Sequence, residues 1–195
     1  MIYLTSIRFV VRAFASVFFL LGLVGTAQSS TPAEQRSEIQ KMRSATLADL
    51  YRVHPAARAH IQKAAGYAVF SNVGINLILF SAAGGSGVTR NSKSGHDTYM
   101  KMVSGGVGFG LGVKDFRGVF VFSTVDKLDQ FINSGWEANA QADAAAKAGD
   151  KGGAFAGAIT VAPGVTLYQL TKNGLALQAT IQGTKYYKND DLNAK

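Results

Sequence analysis

The feature that most limits how this chain can fold is a change in hydrophobic period at Gly66. Downstream of that residue, short apolar runs with a two-residue alternation are separated by polar, glycine-containing turns. This period is typical of β-strands, because successive side chains point to opposite faces of a sheet. The segments 90–97 and 114–118 are predicted to be loops, and 172–174 a turn. The predicted strands are 67–73, 75–82, 99–113, 119–123, 154–161, 165–170 and 175–182.

Upstream of Gly66, the apolar residues are spaced as on a helix. The sequence Thr31-Pro32-Ala33-Glu34 has the form of a capping box, with threonine as N-cap and proline at the first helical position. Helical spacing continues to Pro55, which ends the helix or begins a second short helix that reaches about residue 65. These residues therefore predict a helical segment before the strands.

One further helix interrupts the strand region. Thr124 is placed to cap it, Gly135 to end it, and Trp136 to anchor the following corner in the core. Charged residues make up only 16% of the 195-residue chain, which contains 22 glycines, so twisted β-structure is favoured over a helical bundle. We predict an α+β fold: a mostly antiparallel curved sheet or barrel-like roll, with N-terminal helices and one inserted helix covering one side or end.

Two stripes of small residues lie in this region. Glycines alternate with apolar residues over 106–113, and alanines alternate with polar residues over 138–148, which we interpret as strands. A strand of this kind leaves one face bare. Such a face permits close packing against other elements or contact with a ligand.

The first 27 residues resemble a secretory signal. Arg8 and Arg12 precede an uncharged apolar run at 13–24, and Gly25-Thr26-Ala27 supplies small residues for cleavage after Ala27. An uncleaved membrane anchor is the alternative. We expect a periplasmic or exported protein in which the helical segment 28–65 and the β-rich region 66–195 form one globular unit.

Sequence motifs for catalysis are missing. The chain has no cysteine, which excludes disulfides and thiolate catalysis. The glycine-rich segment 105–112 matches neither dinucleotide nor P-loop patterns. His54, His60 and His96 form no metal-binding motif and are interpreted as loop or surface residues. We expect no enzyme activity, no cofactor, no metal and no nucleic-acid partner, while a net charge of +8 favours anionic partners.

The first helix carries two arginines inside its apolar stripe. Arg36 and Arg43, one heptad apart, fall among Ile39, Leu47 and Leu50. Cations in such a stripe suit a helix lying on an anionic membrane, with the arginine stems extended toward the lipid headgroups. The alternative is that they rim an ordinary docking face and meet carboxylates from the body of the protein.

Several segments, taken in order, resemble the SYLF domain family over residues 35–193. The resemblance lies in Gly66-Tyr67-Ala68-Val69-Phe70, the glycine-rich middle strands, Val119-Phe120-Val121-Phe122, Phe131-Ile132-Asn133-Ser134-Gly135-Trp136-Glu137, Leu170-Thr171-Lys172-Asn173-Gly174-Leu175 and the ending Gly183-Thr184-Lys185-Tyr186-Tyr187-Lys188-Asn189-Asp190-Asp191-Leu192-Asn193. It implies a non-enzymatic lipid-binding module whose membrane contact comes from a basic N-terminal helix and a cationic surface.

The function expected from this resemblance and from the charge is peripheral binding to anionic phospholipid at an envelope membrane. The alternatives are a small-molecule or lipid carrier with an apolar cavity, and a structural envelope interaction module. The predicted lipid-binding residues are Arg36, Lys41, Arg43, Arg58, Lys63, Lys101, Lys114 and Arg117.

Overall fold

A computed structural model of the chain describes residues 30–72, 84–104, 116–137, 157–171, 174–176 and 183–194. The helices in these ranges are α1 (Pro32–Val53), α2 (Ala56–Lys63), α3 (Val125–Ser134) and α4 (Asp190–Asn193). The strands are β1 (Gly66–Ser71), β2 (Gly84–Asn91), β3 (Asp97–Ser104), β4 (Arg117–Phe122), β5 (Trp136–Glu137), β6 (Ile159–Ala162), β7 (Val165–Thr171), β8 (Gly174–Ala176) and β9 (Thr184–Lys188).

All of these strands belong to one sheet, with the order β5-β9-β3-β2-β1-β4-β7-β6 and with β8 paired to β7. Every pairing in the described ranges is antiparallel. The sheet is strongly curled into a half-barrel. The predicted α+β fold with a curved antiparallel sheet is therefore confirmed.

One face of the sheet, the α3 face, packs against α3. Phe70, Phe120 and Tyr186 project from β1, β4 and β9 and form an aromatic cluster with Phe131 of α3. Trp136 is partly buried against the same cluster, as the sequence predicted. The rings meet at tilted or edge-on angles, the arrangements that aromatic pairs prefer.

The opposite face, the α1 face, is covered by α1 and α2. Leu50 of α1 and Ile61 of α2 are buried against Val69, Val119 and Tyr168 of the sheet. At the other end of α1, Ile39 packs with Val88 and with Leu192 of α4. Helices therefore cover both faces of the sheet, and the expectation that they lie on one side or end was wrong. Strands that bury both faces need this second cover.

The predicted helix ends are confirmed. Thr31 and Glu34 form the complete capping box of α1, and the Thr124 side chain accepts a hydrogen bond from the Lys127 backbone N–H at the start of α3. Gly135 follows α3 with φ of 68°, a left-handed value that glycine adopts without strain.

Three strands were missed: β2, β5 and β9. β2 was not predicted, although the 90–97 hairpin loop was placed next to it; Trp136 was expected at a corner, and no element was predicted for residues 184–188. In β2, a Cβ on Gly87 would collide with the Phe70 ring, and one on Gly85 would collide with Met102. These glycines thus permit close packing on the α3 face.

Several predictions concern residues outside the described ranges. These are the signal at 1–27, the strand at 75–82, the first part of the loop at 114–118 and the glycine and alanine stripes. The end of that predicted loop is wrong, because Arg117 and Gly118 belong to β4. Residues Thr31–Lys195 form one compact unit. In the part of the chain that the structure describes, no helix has the length and apolar character that crossing a membrane requires.

Candidate functional site: a cationic surface on α2

Arg43, predicted to face lipid, is held by a carboxylate of the sheet. Its Nη1 lies 3.0 and 3.1 Å from the two carboxylate oxygens of Asp97, at the start of β3. Arg90 donates to the same carboxylate at 3.0 Å, and so does Gln40. The side chains of Arg43 and Asp97 are each only 18% exposed. This geometry matches the alternative interpretation, in which the arginines of α1 meet carboxylates from the body.

Arg36, the other arginine of the stripe, is also engaged inside the protein. Its Nε donates to the backbone carbonyl of Leu192, at 3.0 Å, and its side chain is half-buried. Because the last carbonyls of a helix have no helical N–H to accept from, the guanidinium provides a donor for α4. Arg36 therefore links the first turns of α1 to the C-terminal helix.

Three more of the predicted residues form ion pairs. Arg117 on β4 lies 2.6 Å from Asp49 of α1, and Lys101 on β3 lies 3.4 Å from Asp191 of α4. Lys41 is exposed and pairs with Glu38 at 2.8 Å, one turn away on α1. The remaining predicted residue of this group, Lys114, lies outside the described residues.

Asp49 is shared between two arginines. Arg52, on the same helix, donates to one oxygen at 3.3 Å while Arg117 donates to the other. The hydrogen bond from Arg52, followed by that from Arg117, lowers the pKa of Asp49. The carboxylate therefore stays ionised at neutral pH and neutralises part of the positive charge on this side of the protein.

The last two predicted residues, Arg58 and Lys63, are both exposed on α2. Arg58 stacks on Tyr51 of α1, with the guanidinium carbon 4.4 Å from the ring centroid. The turn between β2 and β3 approaches the end of this helix, since the Ser92 N–H donates to the Ala65 carbonyl at 2.9 Å. That turn carries the exposed Lys93. We call Arg58, Lys63 and Lys93 the α2 surface.

Arg58 and Lys63 were predicted, but Lys93 was not, although the sequence carries a signal for the surface as a whole. Between Asp49 and Asp97 the chain contains no aspartate or glutamate, although it carries five lysines and arginines: Arg52, Arg58, Lys63, Arg90 and Lys93. An acid-free segment of this length has few local partners for its cations. Periodicity along α1 drew attention to Arg36 and Arg43 instead.

Beneath the α2 surface, two histidines contact one buried tyrosine. His60 Nδ1 lies 2.9 Å from the Tyr168 hydroxyl, and the His54 ring centroid is 5.7 Å from that of Tyr168. Burial lowers the pKa of His60 and raises the pKa of Tyr168. The interpretation as loop or surface residues holds for His54, which lies between α1 and α2, and for His96, which is exposed next to β3. It was wrong for His60, which lies in α2 and is half-buried against Tyr168.

The described residues contain no group of three or more histidine, aspartate or glutamate side chains that could hold a metal ion. His54 and His60 converge on a tyrosine rather than on a third such ligand. The arrangement they form with Tyr168 is a hydrogen-bonded and stacked support for α2. The chemistry that the exposed part of this site offers is cationic: one guanidinium and two ammonium groups.

Comparison with known proteins gives one informative similarity. No family model matches the sequence, so membership of the SYLF family stays a prediction. The chain is 35% identical over 164 residues to the protein named "Beta cell expansion factor A" from Aeromonas veronii. The alignment covers 83% of this chain but 60% of that protein. That name refers to beta cell expansion and identifies no ligand.

Proposed function

We propose that this protein binds peripherally to anionic phospholipid membranes and that the α2 surface makes the contact. The observation that carries the proposal is that Arg58 and Lys63 on α2 and Lys93 in the β2–β3 turn, which is hydrogen bonded to Ala65 just after α2, are all exposed. They belong to a stretch of sequence, residues 50–96, that contains no aspartate or glutamate. Positive charge presented without local compensation is attracted to anionic headgroups. The predicted secretory signal would bring the chain to an envelope membrane.

The resemblance to the SYLF family supports the same proposal. Its motifs fall on elements that are neighbours in the sheet: Gly66–Phe70 lies in β1 and Val119–Phe122 lies in β4, which pairs with β1. The ending Gly183–Asn193 covers β9 and α4. We infer a SYLF-type lipid-binding module in which the contact lies on α2 rather than on the stripe of α1.

The strength expected of this contact is modest. Each cation near an anionic membrane contributes about 1 kcal/mol and is screened by salt. Three such residues give reversible binding. Val53, which is 36% exposed in the last turn of α1, adds a small apolar contribution beside them. Binding should therefore weaken steeply as the salt concentration rises.

Co-sedimentation with vesicles tests the proposal. We expect binding to mixed phosphatidylglycerol and phosphatidylcholine vesicles and little binding to phosphatidylcholine alone. Reversing two charges with Arg58→Glu plus Lys63→Glu should weaken binding about thirtyfold or more, the equivalent of losing two cations at about 1 kcal/mol each.

The matched control is Lys185→Glu plus Lys188→Glu, which changes the net charge equally on exposed residues of β9. Lys185 pairs with Glu137 at 3.8 Å, but both side chains are more than half exposed, so reversing this charge costs little stability. The control variant should bind much more tightly than the α2 variant. Equal loss in both variants would show that only net charge matters, and equal binding to neutral vesicles would refute the proposal. Arg36 and Arg43 are unsuitable for this test, because Arg43→Glu would set a second carboxylate against Asp97 and destabilise the fold.

A further inference from the structure

The arginines in the described part of the chain differ in how their guanidinium groups are used. Five of the six donate hydrogen bonds to an oxygen of the protein: Arg36, Arg43, Arg52, Arg90 and Arg117. Arg58, the sixth, has a ring as its described partner, not an oxygen. The Arg58 side chain is exposed, and its N–H groups donate to no oxygen of the described residues.

Stacking on Tyr51 gives Arg58 a defined orientation. A guanidinium placed 4.4 Å from a ring centroid is attracted to the ring face. The ring contacts the guanidinium at its central carbon, and the N–H groups lie in the guanidinium plane around that carbon, so donors remain at the edge of the group. Tyr51 is half-buried and packs against the cluster that contains Leu50 and Tyr168. The platform beneath Arg58 is therefore supported by the core.

We propose that Arg58, held on Tyr51, binds one phosphate group of the lipid headgroup through two parallel N–H···O hydrogen bonds. This inference rests on the proposed function and adds a specific anion site to it. Two donors in a fixed plane match two non-bridging phosphate oxygens, a geometry that the ammonium group of lysine cannot reproduce. Lys63 and Lys93 act as general positive charge around this site.

A charge-conserving exchange separates this site from general attraction. Arg58→Lys keeps the net charge but removes both the stacked plane and the paired donors, so binding to phosphatidylglycerol vesicles should fall about fivefold. Arg52→Lys is the matched control, because Arg52 is an exposed arginine that already donates to Asp49. The control should bind as the unmodified protein does.

Two substitutions of the platform test its role. Tyr51→Phe keeps the ring face and should retain binding, whereas Tyr51→Leu removes it and should reproduce the loss seen with Arg58→Lys. Near-identical affinities of Arg58→Lys and the unmodified protein would overturn the phosphate site and leave the proposed membrane contact standing. Circular dichroism of each variant verifies that the fold is retained.

A second measurement uses inorganic phosphate and no membrane. The Nε–Hε resonance of Arg58, assigned with Arg58→Lys, should shift in a saturable way on titration with phosphate, and not with chloride at the same ionic strength. Soluble glycerol phosphate should then compete with vesicles if the site takes free and lipid phosphate alike. A response to vesicles alone assigns the site to the headgroup at a membrane, and no response to any phosphate source refutes the inference.

Discussion

Two buried tyrosines place their hydroxyl groups in different environments. The Tyr168 hydroxyl is hydrogen bonded to His60, whereas the Tyr186 hydroxyl, in the aromatic cluster of the α3 face, has no hydrogen-bond partner among the residues that the structure describes. Complete burial raises the pKa of Tyr186, so the side chain stays neutral. A buried polar group without a partner costs about 1–3 kcal/mol of stability.

Tyr186→Phe should therefore stabilise the protein, by about 1 kcal/mol, because it removes the unpaired hydroxyl and keeps the ring contacts. Chemical denaturation measures this change. The matched variant Tyr168→Phe removes a hydroxyl that does have a partner and should destabilise by about 1 kcal/mol. Destabilisation of similar size by both substitutions would contradict this account of Tyr186.

The lowered pKa of His60 predicts how stability depends on pH. Above the unfolded-state pKa, near 6.5, His60 is neutral in both states and its contribution is fully present. Below that value the unfolded chain takes up a proton before the folded protein does, so the free energy of unfolding decreases as the pH falls through the lowered folded pKa.

Thermal melts between neutral pH and pH about 5 measure the effect. His60→Asn places a polar atom near the position of Nδ1 without a titrating group, so the melting temperature of this variant should depend less on pH over that interval. An unchanged pH dependence would assign the effect to other groups.

At the scale of elements, one carboxylate connects α1 to the β2–β3 hairpin. Asp97 accepts hydrogen bonds from Arg43, Arg90 and Gln40 at about the same distance. Removing it leaves two guanidinium groups without their anion, one of them mostly buried. Loss of one partner from such a cluster is costlier than loss of an exposed pair.

Asp97→Ala should lower the free energy of unfolding by about 2 kcal/mol or more, whereas Asp191→Ala should change it by less than about 0.5 kcal/mol. Asp191→Ala is the control: it removes the carboxylate that pairs with Lys101, and because the Asp191 side chain is 81% exposed, this pair contributes little stability. Urea denaturation of the two variants makes the comparison. A small effect at Asp97 would mean that water replaces its contacts freely.

The helices and strands also show how much of the fold could be predicted from the sequence. Capped helices and strands such as β1, β4 and β7 are predictable because capping residues and short runs rich in β-branched and aromatic residues are strong local signals. β2 escapes because its glycines have no side chains with which to show a period, and β9 because the buried Tyr186 and the exposed Tyr187 are adjacent and hide the alternation. The ion pair of Arg43 was not predictable for another reason: periodicity locates Arg43 on a face of α1, but no local pattern indicates a carboxylate 54 positions away.

At the scale of the whole molecule, the strands of the sheet differ in how deeply they are buried and in how many neighbouring strands they pair with. β1 and β4 lie side by side in the sheet order, are almost entirely buried, and have neighbouring strands on both sides. β5 and β8 are short strands of two and three residues, and each is paired to one described neighbour. Local opening is easiest where few buried contacts must be broken.

Hydrogen exchange should therefore be slowest in β1 and β4, where amides exchange by global unfolding, and faster in β5 and β8. Exchange measured by mass spectrometry or NMR in increasing denaturant tests this order. Equal protection of the short and the central strands would indicate that the sheet opens only as a unit.

The bond from Arg36 to the Leu192 carbonyl joins positions 156 apart in the chain. The Asn193 side chain likewise donates to the Tyr99 carbonyl, 94 positions away. Contacts between such distant positions carry a large entropic cost of loop closure, and chains rich in them fold slowly. We therefore expect the docking of α4 to be a late step in folding. In a nascent chain from which residues 190–193 have not yet emerged, the start of α1 would lack its contact with α4.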